Sequence, residues 1–284
     1  MQFDLENGNT LWCDAICKEM QSVCPAFEAW KKSESDLPIG FQHVKCHLIF
    51  DVKMGENFRR KARFVVGWHT TEVPSTLTYA SVVSRDSVRI ALTISALNGL
   101  KVMVCDIQNA YLTAVCREKI WTRAGPEFGS EAGTIFIVRN ALNGLKSAGA
   151  AFCALLAETL HDMLGYSPTK ADPDVWLRPV IKVGGFEYFE LVLCYVDDIL
   201  SMSADPESTL RGLQSAFKLK DDKIAEPNVY LGAQMGKMIA DGHECWTISA
   251  EKYVLALVRD VEEALGKKGL WLPSKCYTPL PPDF

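Results

Sequence analysis

The stretch "LVLCYVDDIL", residues 191–200, decides how the whole chain is read. An apolar run is interrupted by Asp197 and Asp198 and then resumes as "ILSMS". An unpaired buried carboxylate is costly, so two of them inside a strand-like run demand a reason. In an extended strand, adjacent side chains point to opposite faces. The two aspartates reach one site only if the chain turns tightly there, and Asp favours such turns. The stretch therefore predicts a β-hairpin whose tip carries both carboxylates, anchored from below by apolar strands. An Asp pair at a turn is usually just solvated, but flanks of "LVLCY" and "ILSMS" are too apolar for a surface loop.

Repulsion between such carboxylates is relieved by a hard divalent cation with oxygen ligands. A third carboxylate, Asp106, ends the apolar run "KVMVCD" at 101–106. If that strand lies beside the hairpin, Asp106, Asp197 and Asp198 meet. They could then hold two magnesium ions about 4 Å apart, the arrangement for in-line phosphoryl transfer, with manganese as an alternative ion.

The surroundings suit such a site in most respects. The 284 residues are 48% hydrophobic and 23% charged, an ordinary globular balance with enough chain for a sizeable core. No run approaches the roughly 18 consecutive apolar residues of a membrane span, and no secretory signal is visible. The ten cysteines form no CxxC pair and no zinc spacing, and several lie in apolar runs, so they read as small buried thiols. The formal net charge of −5 counts against nucleic-acid binding. A local basic patch, "FRRKAR" at 58–63 with Lys53 nearby, offsets it.

Periodicity and punctuation give the remaining elements. Trp12, Ile16, Met20, Val23 and Phe27 predict a helix over 11–32, followed by a polar linker over 32–40. "HLIFDV" and "KARFVVGW" read as a hairpin turning at residues 54–57. A helix is expected over 84–98, closed by Gly99, then a strand over 101–112 and another in "TIFIVRNAL". Helices follow over 148–164 and from Asp205, the latter with Asp as N-cap and Pro at its first position. Strands are expected in "NVYLGAQMG" and "HECWTIS", then a helix in "AEKYVLALVRDVEEAL" and an extended Pro-rich tail. Adjacent hairpins with irregular helices indicate an α+β fold built on an antiparallel sheet.

The collinear order of these pieces resembles the copia-type (Pseudoviridae-like) LTR retrotransposon reverse transcriptase. "YVDD" at 195–198 looks like the aromatic-X-Asp-Asp signature, and "CDIQNAYL" at 105–112 resembles D-V-x-x-A-F-L. "KARFV" at 61–65 resembles K-A-R-L-V, and "YASVVSRDSVRIALTISA" at 79–96 resembles the S-P-V…T-I-R segment. "ALNGLKSAGAAF" at 141–152 resembles A-L-Y-G-L-K-Q-x-x-R-x-W, and "ADPDVWLR" at 171–178 resembles a strand lead-in of the family. "YLGAQM" at 230–235 resembles F-L-G-I-x-I, "ISAEKYVLALV" at 248–258 the following S-Q-x-K-Y helix, and "YTPLP" at 277–281 the closing T-P. Each motif alone is weak; their order over residues 14–281 is strong.

The resemblance implies a right-hand polymerase with fingers, a ferredoxin-like palm and a partial thumb. Its domain plan would be an N-terminal helix and linker over 1–40, part of the fingers over 41–100, and a palm over 101–245. A fingers insertion would lie around 113–150, and the start of the thumb or connection with the Pro-rich tail over 246–284. The activity implied is RNA-directed DNA polymerisation, transferring deoxynucleoside triphosphates to a primer on an RNA or DNA template. Asp106, Asp197 and Asp198 take the positions of the metal carboxylates, and Ile107 would lend its backbone carbonyl. Asn109 and Ala110 would offer backbone N–H groups to the triphosphate, and Tyr111 would be the steric gate against a ribose 2′-hydroxyl. Lys61 and Arg63 would grip the β- and γ-phosphates. Ser147 replaces a glutamine that contacts the nucleotide, and Asn143, Ala150 and Phe152 also depart from the pattern, which touches affinity and fidelity more than chemistry. Gly144 and Gly232 read as turn or close-approach positions.

The chain looks like the polymerase piece of a longer polyprotein whose ribonuclease H and integrase lie elsewhere. An intracellular place, in a cytoplasmic virus-like particle or the nucleus, is implied. Two other readings stay open: a decayed or repurposed nucleic-acid-binding module without catalysis, and another two-metal enzyme on a related palm.

Overall fold

The computed structural model describes residues 2–31, 38–53, 58–67, 78–182 and 184–273. The first part holds helices α1 (Gln2–Asn7) and α2 (Leu11–Val23), then strands β1 (Phe27–Ala29), β2 (Gln42–His43), β3 (Cys46–Lys53) and β4 (Arg59–Val66). Helix α3 (Arg85–Leu97), strand β5 (Lys101–Asp106), the one-turn helix α4 (Ala110–Thr113), and strands β6 (Ile120–Arg123) and β7 (Ile135–Val138) follow. Next come helix α5 (Ala148–Glu158) and strands β8 (Ser167–Pro168), β9 (Val175–Ile181), β10 (Glu187–Tyr195) and β11 (Asp198–Ser203). Helix α6 (Pro206–Gln214), strands β12 (Val229–Tyr230), β13 (Ala233–Ala240) and β14 (His243–Ser249), and helix α7 (Glu251–Gly266) complete the order.

A five-stranded antiparallel sheet, ordered β5-β11-β10-β9-β8, lies at the centre. Alternation sorts its side chains onto two faces. Val102, Leu191, Leu193, Leu200 and Met202 pack with Val88 and Leu92 of α3 and with Tyr230 and Met235 of the β12–β13 hairpin. Cys105, Val192, Cys194 and Ile199 pack with Phe152 and Leu156 of α5 and Leu210 and Leu213 of α6. Both faces are buried, so the strands read as continuous apolar runs rather than as alternating ones.

Three smaller sheets surround it. β1-β7-β6-β2 is mixed, with β2 parallel to β6; β12-β13-β14 is antiparallel; β3 and β4 form a two-stranded ribbon. The ribbon is tied down at its base, where Val66 N–H donates to the Asn143 carbonyl at 2.8 Å. Gly144 has φ +91, and a Cβ there would sit 2.2 Å from the Val66 carbonyl oxygen, so this crossing requires glycine. The Leu231–Gly232 turn joins β12 to β13, with both residues at positive φ.

The expected hairpins and the helices over 84–98, 148–164 and 250–265 are found, the second closing in a wider turn over Thr159–Met163. Ser84 caps α3 by accepting from Ser87 N–H, and Asp205 caps α6 by accepting from Ser208 N–H. Three expectations change. The helix over 11–32 stops at Val23, because Pro25 cannot continue it, and Phe27 instead enters a strand against β7. The strand over 101–112 ends at Asp106, where Asn109 at φ 54 turns the chain into α4. Strands β1, β2, β6 and β8, two to four residues each, were not expected, and β9 was anticipated only as the strand lead-in at 171–178. The linker over 32–37, the hairpin turn at 54–57, Trp68 and the tail with "YTPLP" lie outside the described residues.

Candidate active site

Tyr195 pairs with Asp198, leaving Val196 and Asp197 as a two-residue turn. Val196 has φ 54, an uncommon conformation for a β-branched residue and a strained one. That turn is what lets consecutive aspartates leave the strand alternation. On the other side of β11, Asp198 pairs with Asp106 of β5, so these two carboxylates stand on the same face of neighbouring strands. Ile107 N–H donates to the Asp197 carbonyl at 2.8 Å and stitches the end of β5 to the turn. The structure thus brings together the three aspartates that the sequence singled out.

Their electrostatics record the crowding. Burial raises the Asp198 carboxyl to about 6, the Asp197 and Asp106 charges add to the shift, and Lys220 opposes it. Burial and the Asp106 charge also raise Asp197, with Lys220 and Lys61 pulling back. Lys220 places its Nζ 2.9 Å from Asp106 Oδ2. Among the described residues, no three Asp, Glu, His or Cys side chains form a closed metal cage. The fit to a divalent ion rests on the donors: all are hard oxygens, two carboxyls are pushed toward neutrality by burial and by their neighbours' charges, and a lysine ammonium lies against the third. A bound cation would relieve the same repulsion more strongly.

Strand alternation places Arg59, Lys61 and Arg63 on one side of β4 and Arg60 on the other. Burial lowers the Lys61 ammonium, and the charges of Arg63, Lys53, Lys220 and Arg59 lower it further. A cluster of cations therefore stands near the aspartates. Arg60, expected in the same basic groove, instead stacks over Trp12 at 5.6 Å and donates to the Phe58 carbonyl. Tyr111 is half-buried, edge-on to Phe152 with ring centroids 6.4 Å apart. Burial raises its hydroxyl pKa, with Asp197 and Cys153 adding and Arg63 opposing. Ala110 is buried and opens α4 directly after Asn109.

Ser147 departs from its expected role as a nucleotide contact. It is 3% exposed, and its hydroxyl donates to the Glu118 carboxylate. Sequence reasoning also missed Lys220, which lies just past the helical stretch expected from Asp205. The bridge to Asp106 spans 114 positions, and no local pattern marks it.

The family model for reverse transcriptase (RNA-dependent DNA polymerase) matches residues 27–273. The chain belongs to this family, and its function is of the reverse-transcriptase kind. Nucleic-acid template and deoxynucleoside triphosphates are the substrates such a domain implies, and the family generally uses divalent metals. Among the described residues, no helix is long and apolar enough to cross a membrane.

Proposed function

We propose that the chain is the RNA-directed DNA polymerase of a copia-type retrotransposon, extending a primer by two-metal nucleotidyl transfer. The observation that carries this reading is the Asp106–Asp198 register with Asp197 stitched beside it. The central sheet with α5 and α6 would be the palm, the β3–β4 ribbon and the mixed sheet part of the fingers, and α7 the start of the thumb. Asp106, Asp197, Asp198 and the Ile107 carbonyl would hold the ions. Two bound divalent ions would acidify the primer 3′-hydroxyl and hold the triphosphate and leaving pyrophosphate.

The chain's own residues do the rest. Lys61 and Arg63 bind the phosphates, their charges complementing the triphosphate. Tyr111 closes the space beside the sugar. The β12–β13 hairpin, next to Asp198 through Tyr230, supports the primer end. Lys220 holds the Asp106 carboxylate in place through its 2.9 Å contact with Oδ2. The rest of the polyprotein and a cytoplasmic particle would be its setting.

Primer extension on an RNA template with magnesium or manganese tests the reading. Wild-type incorporation that disappears in Asp197→Asn and Asp106→Asn supports it; undiminished extension by either variant overturns it. The −5 net charge and the buried Ser147 favour one alternative, a nucleic-acid-binding module without catalysis. Template binding without incorporation by the wild type would establish that alternative.

A further inference from the structure

A second set of groups lies directly beneath the hairpin turn. Asp174 is only 9% exposed. Its N–H donates to Asp172 Oδ1 at 3.1 Å, and its carbonyl accepts from Cys194 N–H at 2.9 Å. Asp172 in turn accepts from Ser84 N–H and Ser87 Oγ at the start of α3. The Asp174 backbone is therefore pinned between α3 and the last turn-ward residues of β10. Ser81 lies near enough to its carboxyl to favour the charged form, yet Oδ2 is buried without a hydrogen-bond partner.

Asp174 lines a cavity of about 30 Å³ together with Ser81, Cys153, Trp176, Cys194 and Val196. Such a space takes one water and is too small for an organic ligand. The walls offer polar partners in Ser81 and the Cys153 thiol. A buried carboxyl oxygen with no donor is costly, and burial, with the Asp172 charge, already pushes this group up from the usual carboxylate range. Val196, which also lines the cavity, is the strained residue of the turn. A β-branched side chain keeps φ 54 only where its surroundings over-determine it.

We propose that Asp174 is a positioning residue for the Val196–Asp197 turn, acting through one water held between Oδ2 and the cavity wall. The water satisfies Oδ2, fills the space under Val196 and fixes the height of Asp197 above the sheet. The proposal rests on the polymerase reading of the site, but its test does not depend on that reading alone.

The experiment uses the full chain in three measurements: Mn²⁺ titration, steady-state primer extension, and a high-resolution crystal structure. Asp174→Ala is expected to lower kcat about tenfold or more with the dNTP KM unchanged, because the phosphates are gripped elsewhere. It should weaken Mn²⁺ binding several-fold. Asp174→Asn, which keeps the shape and a hydrogen-bonding oxygen, should restore most of both. The crystal structure should show one water within hydrogen-bond reach of Oδ2. If Asp174→Ala does not fold, Ser81→Ala replaces it, with a loss in kcat and Mn²⁺ affinity of about threefold or more. Unchanged kcat and Mn²⁺ affinity in the folded variant, or a dry cavity, overturns the proposal. If the wild type extends no primer, the polymerase reading fails, while Mn²⁺ affinity and the cavity water still decide the role of Asp174.

Discussion

The β10–β11 hairpin and helix α7 are built on opposite terms. From Glu190 to Cys194 and from Ile199 to Ser203 every residue of the hairpin is buried, and its outer neighbours β5 and β9 clamp both edges. Helix α7 runs for 16 residues with none buried, although Leu257 and Val258 are 51% and 37% exposed apolar side chains. The difference teaches where this molecule stores its precision. Carboxylates that repel one another need a bed that cannot give way, whereas α7 draws little of its order from the rest of the chain.

The comparison can be broken most severely at the tip. Asp198→Asn should cut primer extension about 10³-fold or more while the melting temperature holds or rises, since one repulsive charge is gone. Next is the crossing under the basic ribbon. Gly144→Ala forces a Cβ into the Val66 carbonyl at a positive φ and should cost about 3 kcal/mol in urea denaturation. Val196→Gly should relieve strain, raising stability by about 1 kcal/mol while lowering kcat, which separates tight folding from correct aim. At the gentle end, Val258→Lys on α7 should change stability by no more than about 0.5 kcal/mol.

A pH series sharpens the same contrast. The folded Asp198 carboxyl sits near 6, above its ordinary 3.8, so the folded state holds a proton that the unfolded chain has released. Its contribution is complete below pH 4 and is lost as pH rises through about 6. Metal-free stability should therefore decline over that window. The decline should shrink with saturating magnesium and in Asp198→Asn, as followed by thermal melts. No such change should follow substitution on α7.

Much of this was legible in the residues. The Asp pair, set in flanks too apolar for a loop, announced a hairpin, and the ending of "KVMVCD" supplied its partner strand. Ser84, Gly99, Asp205 and Pro206 marked helix ends because capping is local chemistry. What stayed hidden was held by distant partners. Strands β1, β2 and β6 are too short to show a period, and their pairing energy comes from residues far along the chain. Lys220 and Ser147 are fixed by partners 114 and 29 positions away. Arg60 was readable after all: in a strand it had to face away from Lys61 and Arg63.

The two-faced burial of the central hairpin has a consequence for variation. A strand with one wet face can drift, because every second position is free to change. Here one set of side chains enters the core shared with α3, and the other enters the core shared with α5 and α6. Ten positions are thus constrained by packing whatever the protein does, and sameness among them in related chains carries no information about chemistry. Between Glu190 and Ser203, Tyr195, Val196, Asp197 and Asp198 are the residues that are not buried. In a saturation-mutagenesis screen, those four would separate selection for activity from selection for folding.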